Sequence, residues 1–118
     1  MLKFGGRNMN RNKLIIRTGD IFWCSSIRKN FHIKTRPFLV VENKGTYVLA
    51  LALTSNLSNK EIVLHQYALS KDSAVLFDNL YRINKRRNIY SFIGKVSKDE
   101  FATIQAILKK KKPKITQY

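Results

Sequence analysis

Residues 37–53 read PFLVVENKGTYVLALAL, two apolar runs joined by a short polar link. The first run follows Pro37, and proline is tolerated as the first residue of a strand. The second run follows Lys44-Gly45, a short glycine-containing link of the kind that closes a β-hairpin. These residues therefore predict two adjacent antiparallel strands in the middle of the chain.

Other short apolar runs flank this pair on both sides. Residues 21–24 precede it, and residues 62–64, 74–77 and 89–93 follow it, the last run ending before Gly94. Short strands at such spacing, with polar turns between them, are typical of a compact antiparallel sheet or small barrel.

A helix is predicted after the last of these strands. Residues 97–100 read Ser-Lys-Asp-Glu, which fits a capping box in which the serine hydroxyl and the glutamate carboxylate bond reciprocal backbone amides. Apolar residues then recur at helical spacing, and a run of four lysines follows where the helix dipole favours cations. Pro113 ends the pattern because proline cannot continue a helix.

These elements predict one mainly β domain with a C-terminal helix, an α+β arrangement. The domain spans residues 19–112 and includes the helix at residues 97–112. A basic tail of residues 1–18 precedes it, and a tail of residues 113–118 follows it.

The chain carries a large positive charge. Its 23 Lys and Arg residues oppose 7 Asp and Glu residues, which gives a formal net charge of +16. Such an excess repels itself and costs stability, and a polyanionic partner offsets that cost. The composition therefore favours RNA, DNA, an anionic membrane or an acidic protein as the partner.

Several classes of protein are disfavoured by what the sequence lacks. No apolar run approaches the roughly 18–20 residues of a membrane-spanning helix, and the N-terminal residues do not resemble a signal peptide. Cys24 is the single cysteine, so no intrachain disulfide forms, and His32 and His65 are too few for a zinc site. Phosphate-loop, zinc-protease and serine-hydrolase motifs do not occur. We expect a cytoplasmic protein without a cofactor or metal.

RNA cleavage remains chemically open because it needs no such motif. The 2′-hydroxyl of RNA is the nucleophile, so an arginine, a hydroxyl and a carboxylate or imidazole at strand ends suffice. Arg36 begins the second predicted strand, Thr54 and Ser55 end the third, and Asp78 follows the fifth. On the residues alone, an ordinary surface charge, a turn and a turn cap explain the same positions.

Six short segments occur in a characteristic order between about residues 19 and 108. They are Gly19-Asp20-Ile21, Arg36-Pro37 before Leu39-Val40-Val41, Leu53-Thr54-Ser55, Leu69-x-Lys71-Asp72-Ser73 before Val75-Leu76, Asp78-Asn79, and Ile93-Gly94-Lys95-Val96-Ser97. This order resembles that of the MazF/PemK toxins of type II toxin–antitoxin systems.

The resemblance implies a small SH3-like antiparallel barrel of the CcdB/PemK type that forms a homodimer. It also implies a metal-independent endoribonuclease that cuts single-stranded RNA at short sequences, leaves a cyclic phosphate and is bound by an acidic antitoxin. Arg36 then stabilises the phosphorane and assists proton transfer, Thr54 positions the phosphate, and Asp78 acts as a base or orienting group.

Further residues are candidate RNA contacts. The loop of residues 25–35 lines the RNA groove in the family, and here it is basic and lacks the Pro-x-x-Gly-x-Glu pattern of many relatives. Aromatic rings are candidate platforms for unstacked bases, although core or interface packing also explains Trp23. The candidate contacts are Ser55, Arg28, Lys29, His32, Lys34, Tyr81 and Arg82, and the candidate platforms are Trp23, Phe31 and Tyr81.

Two other functions fit the same fold and charge. A CcdB-like toxin binds DNA gyrase without catalysis, and a basic RNA-binding module uses Arg36 and Thr54 only structurally. A ribonuclease assay separates the enzyme from both alternatives, and a gyrase supercoiling assay separates one alternative from the other.

Overall fold

The computed structural model describes residues 15–27, 33–58, 62–64 and 72–118 of the chain. Strands dominate this part, and one helix lies near its C-terminal end. In chain order the elements are β1 (Asp20–Ile27), β2 (Ile33–Asn43), β3 (Tyr47–Thr54), β4 (Val63–Leu64), β5 (Ser73–Val75), β6 (Asn79–Asn84), β7 (Ile89–Lys95), α1 (Lys98–Lys111) and β8 (Lys114–Gln117).

The strands form one curled sheet that is antiparallel except at one place. Its main path runs β4-β5-β3-β2-β1-β7. The outer edge of β3 is shared, because its first half pairs with β6 and its last two residues pair with β5. β8 adds to β6 in parallel. The predicted mainly β, barrel-like α+β fold is confirmed.

The central hairpin of β2 and β3 also forms as predicted. Gly45 lies in the link with φ +96°, a conformation that side-chain-bearing residues rarely adopt. The Gly45 N–H donates to Asn43 Oδ1 at 3.0 Å, and the Lys44 N–H donates to the Tyr47 carbonyl at 2.9 Å. The link is therefore fixed by its own hydrogen bonds.

Both faces of this hairpin are buried. Side chains alternate between the two faces of a strand, and β3 is buried continuously from Val48 to Leu53. On one face Leu39 and Leu51 join a cluster that α1 covers through Ile104, and we call it the helix-side cluster. On the other face Phe38 joins a second group, the aromatic-side cluster. Its buried members are Ile16, Phe22, Cys24, Phe38, Val40, Val48, Ala50, Ala52, Ile83 and Ile89.

Helix α1 begins and ends as the sequence predicts, to within a residue. The Ser97 hydroxyl accepts from the Glu100 N–H at 3.1 Å, and Glu100 Oε1 accepts from the Ser97 N–H at 3.1 Å, which completes the capping box. At the other end Lys112 adopts a left-handed conformation, φ 45°, and its N–H donates to the Leu108 carbonyl at 2.9 Å.

Two strands, β6 and β8, were not anticipated. The predicted strand 74–77 corresponds to β5, which ends at Val75, and the chain bends before β6 begins at Asn79. The predicted tail 113–118 contains β8, which the backbone of β6 holds in place. Residues 1–14 of the predicted N-terminal tail lie outside the described residues. Ile16 is buried, and its carbonyl accepts from Asn43 Nδ2 at 2.9 Å.

Candidate active site

Arg36 and Thr54 come from neighbouring strands of the central hairpin. Phe38 pairs with Ala52 and Leu39 pairs with Leu51. Continued by two residues, this register places Arg36 opposite Thr54. Each residue is half-buried. Because alternate residues share a face, Arg36 lies on the face of Phe38 and Thr54 lies on the face of Ala52, at one end of the aromatic-side cluster.

The Thr54 side chain is held at the end of its strand. Thr54 pairs with Ala74 of β5, and its Oγ1 accepts from the Asn56 N–H at 3.2 Å. A hydroxyl that accepts one hydrogen bond keeps its own proton as a donor. The arrangement can therefore offer a phosphate oxygen a hydroxyl donor from β3 and a guanidinium from β2.

Cys24 lies directly across from Arg36, on β1. Its side chain is buried, and burial raises the pKa of the thiol to about 12 because the thiolate is poorly solvated there. The thiolate, not the thiol, is the nucleophilic form of cysteine. Cys24 is therefore a packing residue near neutral pH and not a nucleophile of this site.

The raised pKa of Cys24 makes protein stability depend on pH. Above the ordinary pKa of 9.0 the unfolded chain loses the thiol proton while the folded chain keeps it up to about 12. The contribution of the buried Cys24 thiol to the free energy of unfolding is therefore intact below pH 9 and is lost as the pH rises. At about 1.4 kcal/mol per pH unit, it falls by about 2 kcal/mol by a pH of about 10.5.

Urea unfolding of the wild type and Cys24→Ala at pH 8 and pH 10.5 tests this effect. Lysine and tyrosine titrations are common to both proteins and cancel. We expect the wild type's stability advantage to shrink by about 2 kcal/mol between the two pH values. An advantage that is the same at both pH values contradicts the prediction.

Two tyrosines pack against Phe38, which lies two residues along β2 from Arg36. The rings of Tyr81 and Tyr118 meet the Phe38 ring edge to face, with centroids 5.5 Å and 4.7 Å away. The Tyr118 hydroxyl donates to the Cys24 carbonyl at 3.3 Å. Tyr81 was predicted as a base platform, whereas Tyr118 was missed because it stands in an apparently polar tail.

The structure does not gather every predicted residue at this place. Arg82 pairs with Leu49 of the helix-side cluster, so it lies on the opposite face from Tyr81. Its guanidinium carbon lies 3.9 Å from the centroid of the Tyr47 ring. Arg82 therefore belongs to a different surface from Arg36 and Thr54.

Asp78 is exposed at the bend between β5 and β6. Two residues earlier, the Leu76 N–H donates to the Ala52 carbonyl at 2.9 Å, and three residues later Tyr81 pairs with Ala50. The chain loops away from β3 between these two points. Asp78 therefore lies outside the strand pairing that holds Thr54 against β5.

The remaining predicted contacts are only partly described. Ser55 is exposed directly after Thr54, and Trp23 is half-buried in β1. Lys34 lies in β2 opposite Ser26. Arg28, Lys29, Phe31 and His32 lie outside the described residues.

Two general features of the described residues bear on function. No three His, Cys, Asp or Glu side chains in this part of the chain are grouped so as to hold a metal ion. Within the same residues, no helix has the length and apolarity needed to cross a membrane.

Comparison with known families adds to this geometry. The family model described as PemK-like, MazF-like toxin of type II toxin–antitoxin system matches residues 17–111. The chain belongs to this family. The resemblance drawn from the order of short segments is thereby confirmed, and family membership implies an antitoxin partner for this PemK-like toxin. A comparison with curated proteins found no match.

The matched region covers the elements that carry the candidate site. It runs through β1 to β7 and ends with α1, so Arg36, Thr54 and Asp78 all lie inside it. β8 and Tyr118 lie beyond it. In this PemK-like toxin, the aromatic side of the candidate site is thus completed by a segment outside the match.

Proposed function

We propose that this PemK-like toxin is a sequence-specific endoribonuclease that cleaves single-stranded RNA without a metal ion. The observation that carries the proposal is the pairing of Phe38 with Ala52. Continued by two residues, this register brings Arg36 opposite Thr54 at one end of the aromatic-side cluster. Family membership supports the reaction class, because these residues occupy the matched barrel.

The chemistry needs few groups. Attack of the 2′-oxygen on the adjacent phosphorus forms a phosphorane with added negative charge, and expulsion of the 5′-oxygen leaves a cyclic 2′,3′-phosphate. Arg36 carries five N–H donors, so it stabilises this charge and hydrogen-bonds the leaving 5′-oxygen, which takes up a proton from water. The Thr54 hydroxyl holds a phosphate oxygen, and Asp78, exposed at the bend before β6, is the carboxylate that accepts the 2′-proton in this proposal.

Binding of the RNA draws on charge and aromatic rings. The net charge of +16 attracts a phosphate backbone. Tyr81 and Tyr118 supply aromatic surface against Phe38, two residues along β2 from Arg36, and bases of single-stranded RNA stack on such rings. The same charge suits an acidic antitoxin, since complementary charge speeds association and selects partners. The proposal includes a homodimer acting in the cytoplasm.

Incubation of the purified protein with a long single-stranded RNA in EDTA tests the proposal. We expect cuts at a short recurring sequence, with products that end in a cyclic 2′,3′-phosphate. The matched control is the same RNA carrying 2′-O-methyl groups, which lacks the nucleophile and stays intact.

Three outcomes contradict the proposal. One is cleavage that requires an added divalent metal, and another is cleavage of the 2′-O-methylated RNA. The third is intact RNA after prolonged incubation with folded protein. In that case, inhibition of gyrase supercoiling indicates the CcdB-like alternative, and RNA binding without gyrase inhibition indicates a non-catalytic module.

A further inference from the structure

Three consecutive cations stand in the turn between β6 and β7. Lys85, Arg86 and Arg87 follow one another there, and we call them the basic turn. Both arginines are exposed. On the β2–β3 hairpin beside the turn, the acidic residue Glu42 already contacts Lys44 at 3.1 Å. The basic turn is therefore a local concentration of positive charge facing solvent.

Hydrogen bonds fix the backbone of the basic turn. Asn84 Oδ1 accepts from the N–H groups of Arg86 and Arg87 at 2.9 and 3.0 Å. The Asn88 N–H donates to the Asn84 carbonyl at 3.0 Å, and the Lys85 N–H donates to the Thr46 carbonyl at 3.2 Å. A turn ordered before binding loses less conformational entropy when a ligand binds.

The basic turn lies beside the candidate active site. Asn88 Nδ2 donates to the Ser25 carbonyl at 2.9 Å, and the Ser25 N–H donates to the Asn88 carbonyl at 2.8 Å. Ser25 pairs with Thr35, the residue before Arg36. Two strand spacings, about 10 Å in total, thus separate the end of the turn from the strand that carries Arg36.

We propose that the basic turn binds the phosphate backbone of the RNA strand next to the nucleotides at Arg36 and Thr54. This inference rests on the proposed function. The ligand class is a single-stranded polynucleotide, held through its phosphates without base preference. Arg86 and Arg87 suit this role because a guanidinium binds phosphate oxygens in a bidentate manner.

The surroundings of the turn favour a polynucleotide over a protein partner. Protein interfaces are anchored by large apolar or aromatic side chains at their centre. Large exposed apolar residues of the described chain lie elsewhere: Phe92 and Ile15 border a cleft at the other end of β7, Leu57 follows β3, and Ile115 lies in β8. The basic turn instead offers charge alone, which suits a phosphate backbone.

A pair of charge-matched variants tests the proposal. One carries Lys85→Gln, Arg86→Gln and Arg87→Gln together. The control carries Lys98→Gln, Lys109→Gln and Lys110→Gln, three exposed lysines of α1. Each variant loses three positive charges, so a general charge effect is equal in both. The Asn84 side chain that shapes the turn is unchanged, and circular dichroism checks that both variants fold.

The probe is a 20-nucleotide 2′-O-methyl RNA, which binds but cannot be cut. Titrations run at several salt concentrations. We expect the turn variant to bind at least about tenfold more weakly, with a salt slope smaller by about 2, whereas the control stays close to wild type. Equal losses in the two variants, or wild-type binding by the turn variant, overturn the proposal.

Two further outcomes separate this inference from related ideas. The first uses polyglutamate as a second probe, standing in for an acidic protein. If the turn variant binds polyglutamate more weakly but binds RNA like the wild type, the turn is a protein-docking site and the proposal is overturned. The second outcome is that the turn variant binds the 2′-O-methyl probe more weakly than the wild type, while the wild type leaves unmodified RNA uncut. In that case the basic turn is established as an RNA site and the endoribonuclease proposal fails.

Discussion

Arg36→Ala lowers the kcat/KM of RNA cleavage by at least about a hundredfold, the loss typical of removing one donor that stabilises charge in a transition state. Arg36 is half-buried and pairs with Cys24 of β1, and the β2–β3 register continued by two residues brings it opposite Thr54. Arg36→Lys restores the charge without the forked donor geometry and therefore recovers only part of the rate.

The matched control for Arg36→Ala is Arg17→Ala. Arg17 is exposed beside Asp20 and Lys95, in the cleft at the opposite end of β1, and its removal costs the same charge. Initial rates on one RNA, with circular dichroism and urea unfolding of each protein, make the measurement. Equal rates for the two variants, or a folded Arg36→Ala that cleaves at the wild-type rate, contradict the assignment.

Phe38→Ala lowers the free energy of unfolding by about 3–5 kcal/mol, the range for deleting a buried aromatic ring. Phe38 is 1% exposed at the centre of the aromatic-side cluster. Its ring also meets Tyr81 and Tyr118 edge to face, and each such pair adds about 0.5–1.5 kcal/mol beyond area burial.

Phe92→Ala is the control for that loss. Phe92 is 57% exposed, although its ring contacts Phe22 at 5.5 Å between centroids. Urea unfolding of both variants and of Phe38→Leu, which leaves a smaller cavity, gives the comparison. We expect the order of destabilisation to be Phe38→Ala, then Phe38→Leu, then Phe92→Ala. A Phe38→Ala protein as stable as Phe92→Ala refutes the prediction.

Local signals explain the parts of the fold that the sequence predicts. The β2–β3 hairpin follows from two apolar runs joined at Gly45, and α1 follows from the capping box at Ser97 and the stop at Pro113. In each case the residues that specify the element lie within it or next to it. The order of short segments predicted the family, and the family model matches residues 17–111.

The elements that were missed depend on distant partners. β6 and β8 have little apolar alternation of their own, and they are held by backbone pairing with β3 and with each other. Strand stability of this kind reflects context more than intrinsic preference. Likewise, the charges of the basic turn are visible in the sequence, but their place beside Arg36 depends on bonds between Asn88 and Ser25, 63 residues away.

The candidate site is predictable only in part for the same reason. The residue types of Arg36 and Thr54 could be chosen from the sequence, and the continued register of β2 and β3 aligns them. Tyr81 and Arg82 are consecutive in β6 and therefore lie on opposite faces, but β6 itself was not predicted. Tyr118 gave no signal beyond being an aromatic residue in a polar segment.

The short connection between α1 and β8 ties the two faces of the sheet together. Lys112 and Pro113 alone join them, while Ile104 packs on one face and Tyr118 on the other. α1 and β8 thus pack on opposite faces of the sheet, and detachment of either one weakens the packing of the other. Local opening of such a segment is cooperative. A fluctuation that begins in the helix therefore reaches Phe38, which shares β2 with Arg36, and Cys24, which pairs with Arg36, the residue proposed to stabilise the phosphorane.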